Sequence, residues 1–273
     1  MSAVDARWIR PDWPAPDRVR SLITTRPGGV SSGSWGVPPE GVGGLNLGLQ
    51  TGDAPEAVRE NRALLRACLP SEPRWLKQVH GAAVVRADDV EAPVEADASF
   101  TSTPGVVAVV MVADCMPVLL ADVHGRCVGV AHAGWRGLAA GLIQAAARAM
   151  RREIGDPAGE LIAYLGPAIG PAHFEVGSDV LEAMERALPR AREAFVARGE
   201  KYLADLFALG RQALGEAGVS RVFGGQDCTC SEPGRFYSYR RDRTTGRHAA
   251  LAWIDPARIA PTNDAHQLSG NTV

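Results

Sequence analysis

Three short blocks carry side chains that could hold a metal ion: Gln78-Val79-His80-Gly81, Ala113-Asp114-Cys115-Met116-Pro117 and His132-Ala133-Gly134-Trp135-Arg136-Gly137. Two imidazoles and a thiolate suit Zn2+, and three protein ligands leave the fourth tetrahedral position for water or substrate. Water bound there has a pKa near about 7, so hydroxide is available at neutral pH. Copper also accepts two His and one Cys by ligand softness, as the lesser alternative. A multicopper centre, however, would want H-x-H pairs, and the chain has none. The same atoms could instead form a nucleophile pair, with Cys115 attacking and His132 as base; metal content separates the two. Each residue also has an ordinary use, the Cys as a small buried hydrophobe and the His as a hydrogen-bonded structural group. A structural zinc would want a fourth protein ligand, and none is evident.

The blocks are far apart in the chain, so the fold has to bring them together. Residues 106–112, 118–122 and 127–131 are short valine- or leucine-rich runs between turn signals and read as buried strands. Cys115 and His132 would then sit at strand ends, where α/β architectures gather binding groups. Further strands are expected at 161–165, 236–240 and 248–254, and helices at 138–154, 178–188 and 202–217. Another helix should start at Asp53, a good N-cap followed by Pro55 and Glu56, and run to about Cys68. Strands and helices interleave without a regular βαβ beat, which predicts an α+β (mixed α/β) fold in one domain over 1–273. The segment 27–44, rich in Gly, Pro and Ser, is a loop long enough to be functional. Residues 261–273 read as a loose tail.

Composition excludes several classes. The chain has 273 residues, 46% apolar and 22% charged, with net charge −2. The one basic stretch, 235–247, is short and broken by Asp242, which argues against nucleic acid as a partner. No apolar run approaches the about 20 residues that span a bilayer, and no secretory signal is visible, so neither a membrane nor export is expected. Five cysteines without a regular framework read as reduced thiols in the cytoplasm. Cys228-Thr229-Cys230 is one residue short of a C-x-x-C half-site.

Beyond the three blocks, Thr24-Thr25-Arg26-Pro27-Gly28-Gly29-Val30-Ser31, Leu45-Asn46-Leu47-Gly48, Glu60-Asn61-Arg62, Leu165-Gly166-Pro167, Phe174-Glu175-Val176, Asp205-Leu206, Phe236-Tyr237-Ser238-Tyr239-Arg240-Arg241-Asp242 and Thr245-Gly246-Arg247 follow in order. Together they resemble the laccase-domain (YfiH-type) family over nearly the whole chain. Its members are described as purine nucleoside phosphorylase, adenosine deaminase, polyphenol oxidase and peptidoglycan editing factor. The resemblance implies that His80, Cys115 and His132 ligate zinc. It also implies mixed β-sheets flanked by helices, similar to the catalytic domain of cytotoxic necrotizing factor toxins. Two departures stand out: Gly210 where the family commonly has Asn, and the insertion-like SWGVPPEGVG in the glycine-rich loop.

Phosphorolysis of a purine nucleoside needs an anion site for phosphate. Arg26, beside a Gly-rich turn, could supply a planar fork, with Gly28 and Gly29 allowing close backbone approach. Arg136 opens the helix after His132, where the helix dipole also favours anions; a surface ion pair is its plainer use. Asp114, beside Cys115, could act as a proton shuttle or cap a turn. Asn46 could bond a base or ribose, or stabilise its own loop. Gln78 could orient His80. Trp135 could stack on a purine, although a buried Trp is the commoner case. His124, His173, His248 and His266 read as structural. The resemblance leaves three activities in competition: a zinc-dependent purine nucleoside phosphorylase with possible adenosine deamination, a copper polyphenol oxidase, and a hydrolase editing a peptidoglycan precursor.

Overall fold

The computed structural model describes residues 7–258; the expected tail 261–273, with His266, lies outside them. In chain order the strands are β1 Val19–Ile23, β2 Pro27–Ser31, β3 Pro73–Arg74, β4 Val84–Arg86, β5 Ala98–Thr101, β6 Val107–Val112, β7 Met116–Asp122, β8 Val128–Ala133, β9 Leu161–Leu165, β10 Glu175–Val176, β11 Phe195–Arg198, β12 Lys201–Ala204, β13 Arg221–Gly224 and β14 His248–Ile254. The helices are α1 Pro55–Arg66, α2 Trp135–Ala139, α3 Leu142–Glu153, α4 Ser178–Ala187, α5 Leu206–Glu216 and α6 Tyr239–Asp242. Strands assemble into a six-stranded mixed sheet, β13-β9-β7-β8-β5-β4, a four-stranded mixed sheet, β1-β14-β6-β3, and a small antiparallel sheet, β10-β12-β11. The fold is α+β, as expected.

Alternation along the strands explains the layering, because successive side chains point to opposite faces. On one face of the large sheet, Leu119, Ala121, Val128 and Val130 meet Ile23, Val110, Ala250 and Ala252 of the four-stranded sheet. Its other face, through Val118, Leu120, Ala131 and Ala133, buries α3 and α5 by way of Leu142, Ile143, Ala147, Leu209 and Ala213. The outer face of the four-stranded sheet is covered by Leu45, Leu47 and Leu65. Strands buried on both faces have no polar side to show, which is why β6 to β8 are continuous apolar runs.

Four local expectations are corrected. The helix expected over 138–154 is two, because Gly141 adopts φ 80 and separates α2 from α3. The helix expected over 202–217 begins at Leu206: residues 201–204 pair with β11 instead, and Asp205 caps α5 by accepting from Ala208 N at 3.0 Å. Residues 236–240 are not a strand. Phe236 and Tyr237 are buried, but Ser238 accepts from Arg241 N and starts the single turn α6. Asp53 precedes α1 without capping it, its Oδ2 instead accepting from Ser31 Oγ and Asn46 Nδ2.

Candidate metal centre

His132 ends β8 on the same face as Val128 and Val130, so its ring points toward the gap between the two large sheets. Pro117 is its cross-strand partner on β7, and Cys115 lies just before that strand. Asp97 immediately precedes β5, where its carbonyl accepts from His132 N at 2.7 Å. The third block, 78–81, is a turn outside the strands. In the structure the donor atoms of His80, Cys115 and His132 all lie within 4.8 Å of one another. A tetrahedral zinc, with bonds of about 2.0–2.3 Å, separates its donors by about 3.3–3.8 Å, so this set can close on one ion. The ring centroids of His80 and His132 are 4.7 Å apart. His132 is buried, Cys115 half-buried and His80 exposed, so the centre has one wet side.

Both loop-borne donors depend on left-handed backbone. His80 has φ 60 and Asp114, next to Cys115, has φ 91, conformations that L side chains adopt only when the surroundings enforce them. The enforcement is visible at each turn. The Asp97 carboxylate accepts from the amides of Val79 at 3.2 Å, His80 at 2.9 Å and Gly81 at 2.7 Å. The Asp114 carboxylate accepts from Thr229 Oγ1 and from Arg240 N, both at 2.6 Å. Gly134 clears the remaining space: a Cβ there would stand 2.8 Å from Cys115 Sγ and 3.4 Å from His80 Cδ2.

Asp97 also accepts from His132 Nδ1 at 2.8 Å, which turns Nε2 toward Cys115 and His80. Burial by itself raises the Cys115 thiol pKa, but His132 and His80 outweigh it and bring it down to about 6. Burial disfavours a charged His132, yet the Cys115 thiolate and Asp97 raise that ring to about 9. Both shifts run toward a thiolate beside an imidazolium, the direction a nucleophile pair needs, and bound metal is the discriminator. Asp97 was missed by sequence reasoning. It belongs to no motif, and its only signal is an acid one residue before an alternating strand.

The other expected site residues divide. Arg26 is 5% exposed, and all three guanidinium nitrogens are occupied. Nε donates to Gly36 O at 2.7 Å, Nη1 to Pro233 O and Asp242, and Nη2 to Ser34 O. It ties down the 27–44 loop, and the expected phosphate fork is spent there. Gly28, at φ 113, closes the same loop by donating to Gly43 O. Asn46 is fully buried, bonded to Thr51, Asp53 and the amides of Gly48 and Arg247, which is the loop-stabilising use. Gln78 does not touch His80. Its amide exchanges two 2.8 Å bonds with the backbone of Met111, anchoring the His80 turn to the end of β6. Asp114 holds its turn, as above. Arg136 is exposed over the Trp135 ring at 4.3 Å, and half-buried Trp135 stacks on it.

Comparison with known proteins finds relatives over about nine-tenths of the chain. A Pseudomonas aeruginosa protein named purine nucleoside phosphorylase is 48% identical, covering 90% of this chain and 98% of its own. The Escherichia coli protein named purine nucleoside phosphorylase YfiH is 46% identical, over 91% and 99%. Among solved structures, a Neisseria meningitidis protein superposes with a TM-score of 0.84 at 46% identity, over 91% and 99%. YlmD from Geobacillus stearothermophilus follows at 0.83 and 30%, over 93% and 98%. The model of the family described as multi-copper polyphenol oxidoreductase laccase matches residues 20–255, and this chain belongs to that family.

Proposed function

We propose that this protein is a zinc-dependent purine nucleoside phosphorylase of the cytoplasm, the whole chain serving as one catalytic domain. The observation that carries the reading is the convergence of His80, Cys115 and His132 with one side open to solvent. Relatives named purine nucleoside phosphorylase supply the substrate class. In the reaction a phosphate oxygen bonds to C1′ of the ribose while the C1′–N9 bond breaks. The electron pair leaves with the base, which takes up a proton. His80, Cys115 and His132 would hold a divalent ion, which would supply Lewis acidity there. Asp97 fixes the tautomer of His132, Gln78 and Asp97 fix the His80 turn, and Asp114 fixes the turn that presents Cys115. Adenosine deamination, in which water adds to C6 of the purine and the C6 amino group leaves as ammonia with the glycosidic bond intact, is the secondary activity of the same centre.

The donors accept either metal, but one mononuclear centre is poorly equipped for four-electron oxygen chemistry, which supports the zinc reading over a copper oxidase. The test is metal analysis of purified protein together with product analysis. One zinc per chain, and release of hypoxanthine from inosine that depends on phosphate, are expected. Ammonia released from adenosine without phosphate reports the second activity. Zinc-loaded protein that leaves both nucleosides intact overturns the reading.

A further inference from the structure

Arg247 stands one residue before β14, whose first residue, His248, pairs with Val112 at the end of β6. That register brings Arg247 beside the turn 113–115, within electrostatic reach of Cys115, Asp114 and Tyr239. Its placement is built from several directions. The backbone amide donates to buried Asn46 Oδ1 at 2.9 Å. The stem runs over Gly48, where a Cβ would meet Arg247 Cγ at 2.9 Å. Nη1 donates to the carbonyls of Thr245 at 3.3 Å and Gly246 at 2.9 Å. Among the described residues, Nε and Nη2 have no acceptor and no carboxylate forms an ion pair with the group. Asp114 lies within electrostatic reach but forms no ion pair with it, its two oxygens accepting from Thr229 and Arg240. A half-buried guanidinium with its fork free is a cation prepared for an anion.

Tyr239 lies on the same rim. It is 49% exposed and the only aromatic among the exposed large apolar side chains of the described residues. The adjacent amide, of Arg240, is bonded to Asp114, so the ring is carried by backbone fixed to the residue before Cys115. Arg243 Cζ stands 5.8 Å from the ring centroid over one face, and the other face of an exposed, anchored aromatic ring is a stacking platform that any purine can use.

We propose that Arg247 and Tyr239 form the substrate subsite of the metal centre, Arg247 binding inorganic phosphate through its free fork and Tyr239 stacking on the purine. The choice of these two ligands rests on the phosphorylase reading. It assigns the anion site to neither Arg26, whose donors are spent, nor Arg136, which lies on Trp135.

The test compares metal-loaded wild type with R247M, R247K, Y239A and Y239F, using inosine and inorganic phosphate. R247M should raise KM for phosphate roughly tenfold or more, with KM for inosine and bound metal unchanged, and R247K should recover part of the loss. Y239A should raise KM for inosine by roughly 5–150-fold, the range of one stacked base, while Y239F restores it. An unchanged phosphate KM in R247M, or an unchanged inosine KM in Y239A, overturns the corresponding assignment. If wild type releases no base, the phosphorylase reading has failed, and direct binding decides the subsite separately. Broadening of the phosphorus resonance of inorganic phosphate by wild type but not by R247M supports it; equal broadening overturns it. Melting curves identify any variant that does not fold, and the Lys and Phe variants then carry the comparison.

Discussion

The loop around Arg26 and the turns around His132 are built from the same kinds of residue and come to opposite ends. Both gather polar side chains at strand termini beside glycines, and both bury some of them. In the loop most polar side chains are answered from inside, Trp35 Nε1 being without a partner. Arg26 meets three carbonyls and Asp242, Asn61 meets Val30, Ser31 and Asn46, and Tyr237 donates to Trp35 O at 2.7 Å. At the candidate metal centre three donor atoms lie within 4.8 Å of one another instead of being paired off. Residue type does not separate a rigid loop from a reactive site; the count of satisfied partners does.

Substitutions on the two sides should therefore fail differently. Cys115→Ser should weaken metal binding by more than the roughly 100-fold typical of losing a ligand's outer partner, with little change in melting temperature once metal is removed from both proteins. Arg26→Met should do the reverse. It orphans three carbonyls, while Asp242 keeps its pair with Arg241, and should lower unfolding free energy in urea by about 3–5 kcal/mol with bound metal staying stoichiometric. Equal loss of metal in both variants would erase the contrast. A finer probe is Asp97→Asn, which keeps shape but loses the charge opposite His132 Nδ1. Metal affinity measured by chelator competition should fall about 10–100-fold. An unchanged affinity would reduce Asp97 to a turn residue.

A separate probe concerns His248, a ring that belongs to neither group. It is fully buried beside Phe236, and neither ring nitrogen has a partner within the protein. Burial, with nearby Arg247, lowers its pKa from 6.5 to about 3. Between these values the unfolded chain binds the extra proton, so stability falls as pH drops from 6.5 toward 3. The slope is at most about 1.4 kcal/mol per pH unit. His248→Leu should flatten this part of the profile in urea melts taken between pH 7 and pH 4. A profile parallel to wild type would assign the acid sensitivity elsewhere.

Much of the centre was readable in the chain because its residues are chemically uncommon and lie at the ends of strongly apolar runs. Cys115 and His132 follow directly from where β7 begins and β8 ends. Asp97 was not readable, since its role depends on which strand lies beside β8, a property of sheet order that no local pattern contains. Arg247 was quoted only as part of a motif; its importance depends on Arg26 being occupied, which takes tertiary structure to see. The segment 236–240 shows the same limit in secondary structure. Its aromatic alternation suited a strand, yet buried Phe236 and Tyr237 belong to a segment that Ser238 turns into α6. Residues 202–217 mislead for a related reason. A good cap at Asp205 starts the helix late, and the residues before it satisfy their backbone in a sheet.

One carboxylate, that of Asp97, receives three consecutive amides of one turn and the ring of a residue on a neighbouring strand. The backbone of His80 and the ring of His132 are thereby yoked to a common anchor, so the turn and the strand end hold their relative placement before any ion arrives. What is left to adjust on capture is the exposed His80 side chain and the spacing of the three donors.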